Sequence, residues 1–338
     1  MTQPDRPTDH PQIPLERIGV LLVNLGTPDA PEAAAVRRYL AEFLSDPRVI
    51  EIPRLAWLPI LHGIILRTRP AKSAHAYKQV WTEDGSPLAA ITLRQTRALR
   101  EQMGDAALVD YAMRYGNPGI EQAVHKMLAA GATRILIAPL YPQYCAATTA
   151  TANDAVFAVL ARMRWQPALR TLPPFHDDPL YIDALQATIE RQLSNLDFTP
   201  DRLLLSFHGM PQRTLELGDP YHCHCQKTAR LLGERLRIAT EIAFQSRFGR
   251  AKWLEPATDK VLAAYPAQGV KRVAIAAPGF IADCVETIEE LGIRGRETFM
   301  AAGGERFATL DCLNDSPEAM TMLERLVRRE LAGWLQQS

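Results

Sequence analysis

The sequence predicts an α/β fold made of two related halves, each built around a parallel sheet. Continuous apolar runs bounded by glycine and proline are typical of buried parallel strands, and helix-length stretches separate them. The strand candidates are Ile18–Leu25, Arg134–Ala138, Arg202–Phe207, Arg272–Ala277 and, more weakly, Leu108–Met113. Because strands that alternate with helices form right-handed βαβ units, we expect parallel pairing.

Three helices can be placed from their patterns. Ala33–Leu44 and Gly119–Ala130 are amphipathic segments that lie between strand candidates. Near the end of the chain, Ser316 is suited to cap a helix and Pro317 to occupy its first position. The apolar face that follows predicts a helix packed on the body.

The halves are inferred from weak internal repetition. Residues 131–139 resemble 269–278, and residues 21–26 resemble 204–209, so Leu25 corresponds to His208. The alternative, that any two buried parallel strands look alike, stays open. A length of 338 residues also favours two domains. We predict a disordered tail over 1–17, domains over 18–172 and 173–315, and the last helix over 316–338.

Composition narrows the class of protein. The 38 basic and 38 acidic residues balance, which argues against a nucleic-acid partner. Five cysteines without a secretory leader predict free thiols and a cytoplasmic location. No apolar run approaches the ~20 residues of a spanning helix. The most apolar segment is Leu55–Leu66, interrupted by Pro59 and Gly63.

No dinucleotide, P-loop, nucleophile-elbow or H-E-x-x-H pattern occurs. Ligands of open parallel sheets bind beyond the carboxyl ends of the strands. At such an end, His208 follows an apolar strand, and it could exchange a proton, bind a metal or simply bond a backbone carbonyl.

A group of carboxylates follows the strand Arg272–Ala277. With a helix starting near Ala282, Asp283, Glu286 and Glu290 fall on one helical stripe, whereas Glu289 points elsewhere. Like charges so close destabilise a helix unless a proton or cation compensates them. An acidic first turn would favour the helix dipole, but this does not account for Glu290.

Two further segments carry candidate ligands. The predicted loop Phe244–Pro256 mixes basic and aromatic side chains, which suits a flat aromatic ligand bearing carboxylates. The segment His222–Cys225 invites a zinc interpretation, but no second ligand pair accompanies it.

These features together resemble the ferrochelatase family from about Ile18 to Ala308. The matching segments, in chain order, are Val23–Pro28, Phe43–Arg48, Gly85–Pro87, Met113–Tyr115, Ser206–Gly209, Gln245–Arg247 with Trp253, and Asp283–Thr287 with Glu290. The resemblance implies two Rossmann-like domains, each a four-stranded parallel sheet flanked by helices, with a porphyrin cleft between them. It also implies insertion of Fe²⁺ into protoporphyrin IX.

The resemblance assigns roles to residues of this sequence. His208 and Glu286 would share proton abstraction and iron binding in either order, and Asp283 and Glu290 would relay along the stripe. The porphyrin-contacting residues would be Leu25, Arg114, Tyr115, Ser246, Arg247, Trp253 and Phe280. Fe²⁺ and porphyrin would be substrates, with no tightly bound cofactor.

Three expectations depend on finer detail. Cys312 is the only cysteine after Cys284, so we expect no [2Fe–2S] cluster. Leu25 stands where some coproporphyrin-using relatives have tyrosine, which favours protoporphyrin IX. Leu55–Leu66 matches a hydrophobic lip of the cleft that could contact the inner face of the membrane or a porphyrin donor. The alternatives are a coproporphyrin ferrochelatase, a cobaltochelatase or, in another class, a non-enzymatic heme or iron carrier.

Overall fold

The computed structural model describes residues 16–249 and 251–335, and it contains two all-parallel four-stranded sheets. Their strand orders are β2-β1-β3-β4 and β6-β5-β7-β8, so the second sheet repeats the topology of the first. The predicted pair of similar α/β domains is confirmed. The strands are β1 Arg17–Thr27, β2 Leu108–Gly116, β3 Ala132–Pro139, β4 Ala168–Thr171, β5 Arg202–His208, β6 Thr240–Gln245, β7 Arg272–Ala276 and β8 Arg306–Thr309.

Helices cover the faces of both sheets. The α-helices are α1 Ala33–Leu44, α2 Arg54–Ile60, α3 Leu66–Val80, α4 Pro87–Met103, α5 Ile120–Ala129, α6 Thr151–Leu160, α7 Pro179–Ser194, α8 Gln212–Glu216, α9 Tyr221–Gly233, α10 Thr258–Ala264, α11 Arg296–Ala301 and α12 Pro317–Glu330. Three π-helical segments interrupt them, at Leu61–Ile65, Ala146–Ala150 and Glu286–Gly295. Two short 3₁₀ turns lie at Gly104–Ala106 and Tyr265–Gln268.

The strand predictions located the sheet centres but not most of the edges. All five strand candidates are strands, whereas β4, β6 and β8 had no candidate segment. All three are edge strands, and β4 and β8 contain no fully buried residue. A strand covered on one side only is not a continuous apolar run, so its pattern is weak. One correction follows: Phe244 and Gln245 belong to β6, and the loop begins at Ser246.

The repeat extends to details outside the strands. In β2, Met113 N donates to Pro118 O of the following loop at 2.7 Å. In β6, Phe244 N likewise donates to Pro256 O of its following loop at 2.8 Å. A π-helical segment follows the loop after β3, and another follows the loop after β7. The two halves therefore share their loop geometry as well as their strand order.

The two sheets share one large apolar cluster that includes Leu22 and Leu205. Residues 172–178 connect β4, the last strand of the first sheet, to α7. Helix α12 packs on α7 and α4, and Ser316 Oγ accepts from Ala319 N at 3.2 Å, as expected of the cap. The predicted tail lies outside the described residues, except that Arg17 already belongs to β1.

The apolar segment Leu55–Leu66 is helical throughout, because a π-helical turn joins α2 to α3. Within the described residues, no helix has the length and apolarity to cross a membrane. Leu61 is buried, but Leu55 is 94% and Ile64 57% exposed. The segment thus presents apolar side chains to its surroundings.

Candidate active site

His208 is the last residue of β5, the strand that lies between β6 and β7 in the second sheet. Its ring is half-buried, and Nδ1 lies 2.7 Å from the carbonyl oxygen of Gly209. A carbonyl only accepts, so in the neutral ring Nδ1 carries the proton and Nε2 keeps its lone pair. The bond to a backbone carbonyl, one of the three predicted possibilities, is therefore present, and it engages only one of the two ring nitrogens.

The carboxylate stripe differs from its prediction. The helix does not begin near Ala282 as an α-helix; a π-helix spans Glu286–Gly295 instead. Asp283 therefore lies in the turn before it. Glu286 and Glu290 are four residues apart in a helix whose hydrogen bonds join residues five apart, so they share about one side of it.

Asp283 is 8% exposed and is bonded within the protein. Its carboxylate accepts from Asn314 Nδ2 at 2.6 Å and from Thr287 Oγ1 at 2.8 Å. Asn314 Oδ1 in turn accepts from the Asp283 backbone N–H at 2.9 Å. These bonds tie the start of the π-helix to the segment after β8.

The π-helix is also joined to β6 beside His208. Gln245 is the register partner of His208, and its Nε2 donates to the backbone oxygen of Glu286 at 3.2 Å. Ser246 N donates to Glu290 Oε1 at 2.8 Å, and Ser246 Oγ donates to the same carboxylate. Ser246 has a φ of 63°, a left-handed conformation that non-glycine residues rarely adopt. The structure thus brings His208, Ser246, Glu286 and Glu290 to one end of the second sheet.

Glu286 faces the first half of the molecule. Burial raises the pKa of Tyr77 and Tyr39, and the nearby charge of Glu286 raises both further. Tyr39 lies in α1 and Tyr77 in α3, and both belong to the apolar cluster that contains Leu25. The acidic π-helix and the end of β1 therefore face each other across the boundary between the halves.

Arg114 and Tyr115 lie in a network around Asp46 at the end of the first sheet. The Asp46 carboxylate accepts from the guanidinium of Arg114, the hydroxyl of Tyr115 at 2.8 Å and Thr151 Oγ1. Burial raises the pKa of Asp46, but hydrogen bonds from Thr151, the Arg48 backbone and Tyr115 outweigh it and lower the pKa overall. Tyr115 has no exposed surface, and Arg114 is 19% exposed, so only Arg114 is open to a ligand.

The other predicted wall residues are half-buried around His208 and the cleft. Trp253 Cε3 lies 3.4 Å from where a Gly209 side chain would start. Arg247 pairs with the exposed Asp259 at 2.8 Å. Phe280 lies in the loop after β7 and packs between two apolar clusters.

Two residues of this region were not singled out as functional by the sequence. Asp46 organises Arg114 and Tyr115, and Tyr221 donates its hydroxyl to the His208 carbonyl at 2.9 Å. Asp46 lies in Phe43–Arg48, one of the segments that resemble the family, and this was the only feature of the sequence that pointed to it. Nothing in the local pattern pointed to Tyr221, because its partner is a backbone atom distant in sequence.

The segment His222–Cys225 forms the first turn of α9 rather than an extended stretch. Cys225 is buried, Cys223 is exposed, and His224 stacks on His176 with ring centroids 3.6 Å apart. His224 Nδ1 accepts from Tyr144 N at 3.1 Å. Among the described residues, no three His, Cys, Asp or Glu side chains are grouped to hold a metal.

A cavity of about 470 Å³ lies on the outer side of Asp283, between α3, α4 and the π-helix. It is lined by Trp81, Arg94, Ile288 and Asp283 among others. Asp283 therefore borders this cavity, whereas Glu290 is bonded to Ser246 at the end of β6.

Comparison with known proteins assigns the family. The family model described as Ferrochelatase matches residues 17–331. The Ferrochelatase of Rhizobium meliloti (strain 1021) is 52% identical over 338 residues, covering 98% of this chain and 100% of the relative. The Ferrochelatase of Methylibium petroleiphilum is 55% identical over 325 residues, covering 94% and 89%.

A solved structure described as SirB from Bacillus subtilis with Fe³⁺ superposes with a TM-score of 0.58 at 14% identity, covering 94% of this chain and 97% of SirB. At that identity the likeness concerns the fold alone, and it agrees with the two parallel sheets. The family model and the relatives, which span nearly the whole chain, establish that this protein belongs to the ferrochelatase family.

Proposed function

We propose that the protein inserts Fe²⁺ into protoporphyrin IX, releases two protons and so forms protoheme, with the chemistry at His208 and Glu286. Fe²⁺ and porphyrin are substrates of this reaction. The observation that carries the assignment of residues is the state of His208, whose Nδ1 is held by Gly209 O while Nε2 keeps its lone pair.

The proton balance requires a base beside the ring. A free porphyrin carries two pyrrole N–H protons, and both must leave for four nitrogens to bind Fe²⁺. Nε2 of His208 accepts one, which leaves a protonated imidazole that then returns the proton to solvent. Bending of the flat macrocycle exposes the nitrogen lone pairs, and a fitted cleft favours that shape.

The carboxylates complete the path. Glu286 faces the first half, where the ring would be held, and it binds the incoming Fe²⁺ or the second proton. Glu290 and Asp283 continue the path, Asp283 toward the cavity of about 470 Å³. The roles of base and metal ligand are interchangeable between His208 and Glu286, because both have an acceptor atom and both lie at the same end of the second sheet.

The wall of the cleft divides into two kinds of contact. Leu25, Phe280 and Trp253 offer apolar faces to the macrocycle, whereas Arg114 and Arg247 offer donors to its carboxylates. Ser246 contributes to the wall by holding Glu290, to which both of its donors are bonded. Tyr115 supports this set from within, because it holds the Asp46 carboxylate that orients Arg114. Leu25 favours the less carboxylated protoporphyrin IX over coproporphyrin.

The test is anaerobic turnover of His208→Ala with Fe²⁺ and protoporphyrin IX, followed by absorbance. We expect kcat to fall by about 10²–10⁴, the usual share of a general base, while the variant still binds porphyrin. The matched control is His125→Ala, an exposed histidine of α5 that should change nothing. Near-normal turnover by His208→Ala would contradict the catalytic role of His208. Faster turnover of the wild type with coproporphyrin or Co²⁺ would show that one of these is the preferred substrate instead.

We also propose that Leu55–Leu66 contacts a membrane surface or a porphyrin-donating protein. Leu55, Ile60 and Ile64 are exposed there on neighbouring helical turns. Replacing all three with serine should lower cosedimentation with anionic lipid vesicles, or turnover of porphyrin delivered by a donor, with kcat for free porphyrin unchanged. Wild-type behaviour in both measurements would contradict the proposal.

A further inference from the structure

The peptide unit between His208 and Gly209 is held at both of its hydrogen-bonding groups. The carbonyl of His208 accepts from the Tyr221 hydroxyl at 2.9 Å. The N–H of Gly209 donates to the Gln245 carbonyl at 2.7 Å. Two bonds on opposite edges of one planar group fix its rotation. The partner of His208 Nδ1 is Gly209 O, which belongs to the next peptide unit. The held peptide therefore fixes the Cα atoms of His208 and Gly209, from which the imidazole and its anchoring carbonyl extend.

Tyr221 is itself fixed by a residue that reaches the other half of the molecule. Tyr221 is 7% exposed, and its N–H donates to Asp219 Oδ1 at 3.0 Å. The second oxygen of Asp219 accepts from Ala146 N at 2.7 Å, at the start of the π-helical segment Ala146–Ala150. One carboxylate therefore joins the helix that holds His208 to the half that would hold the ring.

We infer that Tyr221 and Asp219 are positioning residues for His208: they hold its backbone, and so its imidazole, in register with the ring-holding half. The inference rests on the role proposed for His208. Neither side chain need touch porphyrin or iron, since Tyr221 acts through a carbonyl and Asp219 through two amides. The expected signature is a loss of kcat without a loss of porphyrin affinity.

The test is Tyr221→Phe, which removes one oxygen and keeps the buried ring. We expect kcat to fall about tenfold, with KM for protoporphyrin IX within about twofold of wild type, because one hydrogen bond is lost that orients the base. The matched control is Tyr265→Phe, a buried tyrosine of the same domain whose hydroxyl donates to Glu241 at 2.9 Å. It should melt at a lower temperature and keep its kcat.

A spectroscopic measurement separates positioning from general loosening. Nitrogen-15 NMR of the His208 ring should show the proton on Nδ1 in the wild type and in Tyr265→Phe, and a rising fraction on Nε2 in Tyr221→Phe. Asp219→Asn, which replaces one acceptor oxygen with a donor, should change kcat and tautomer in the same direction.

The outcomes are distinct. If His208→Ala retains turnover, the proposed chemistry fails and this inference with it. If His208→Ala is inactive but Tyr221→Phe has wild-type kcat and an unchanged tautomer, the positioning role alone is overturned. An equal fall of kcat in Tyr265→Phe and Tyr221→Phe also overturns it, because the effect would then be one of overall stability.

Discussion

The two halves of the molecule have the same backbone plan but different side chains at matching places. Leu25 lies near the carboxyl end of β1 in the first half, at the place where His208 ends β5 in the second. After β3, the π-helical segment Ala146–Ala150 and the Thr151 that follows it contain no carboxylate, whereas the π-helix after β7 contains Glu286 and Glu290. The first half therefore has methyl and hydroxyl groups where the second has an imidazole and carboxylates. Under the proposed function, one geometry holds the ring in the first half and exchanges protons and iron in the second.

The hydrogen bonds around the two π-helical segments also differ. Thr151 Oγ1 donates to Asp46, which also holds Tyr115 and Arg114. Glu290, in the second half, accepts from Ser246, at the end of the strand equivalent to β2. In the first half, the donors around Asp46 are all bonded to its carboxylate. In the second half, Glu290 is bonded to Ser246, whereas the half-buried Glu286 lies outside this bond and would face the proposed cleft.

The largest effect is expected when a carboxylate that distinguishes the second half is replaced by an uncharged amide. Glu286→Gln keeps the shape of the side chain but neither binds a proton nor attracts Fe²⁺ strongly, so we expect kcat to fall by about 10²–10³. Glu289→Gln is the control on the same helix, because Glu289 pairs with Arg294 at 2.9 Å and should affect stability rather than turnover. Equal turnover losses in the two variants would contradict the division of roles.

The next effect compares two equivalent glycines. A side chain at Gly26 would meet Tyr115 O at 1.7 Å, with φ at +108°, whereas one at Gly209 would meet Gln245 O at 2.5 Å. We expect Gly26→Ala to lower the free energy of unfolding by about 3 kcal/mol or more. Gly209→Ala should cost less stability and more kcat, because it displaces the anchor of His208. Urea unfolding measures the loss of stability, and steady-state kinetics measures the loss of kcat. A larger loss of stability in Gly209→Ala, with a larger loss of kcat in Gly26→Ala, would contradict these separate roles.

The smallest effect concerns Asp46 in the ring-holding half. Its pKa is lower in the folded protein, so its carboxylate stabilises the fold at neutral pH and loses that contribution as pH falls below about 4. We expect Asp46→Asn to lower the free energy of unfolding by about 1–2 kcal/mol at pH 7. The difference from wild type should shrink toward pH 3 in urea titrations, and the exposed Asp105→Asn should show no such change. A difference independent of pH would assign the effect to packing.

The local sequence pattern predicted the central strands of each sheet well, but it predicted the edge strands and the acidic helix poorly. Ile18–Leu25 and Arg202–Phe207 are buried on both faces, so burial alone dictates a continuous apolar run. The edge strands β4 and β8 are partly exposed, and no such constraint acts on them. The predicted stripe of three carboxylates assumed an α-helix from Ala282, and the π-helix displaced Asp283 from it. Asp283 is instead bonded to Asn314, which lies 31 residues further along the chain, a contact that no local pattern shows.

By itself the sequence determined the α/β class, the repeat, and the places of His208, Glu286 and Glu290 at strand ends, because these follow from local periodicity and chain order. Only the tertiary structure decided which groups support them. It buried Tyr115 behind Asp46 and set Nδ1 of His208 against the carbonyl of Gly209. It also brought the Tyr221 hydroxyl to the His208 carbonyl, and Asp219 to the backbone of Tyr221 and Ala146. The physical reason is that these contacts join groups from different elements, many through backbone atoms, which no side-chain pattern along the chain records.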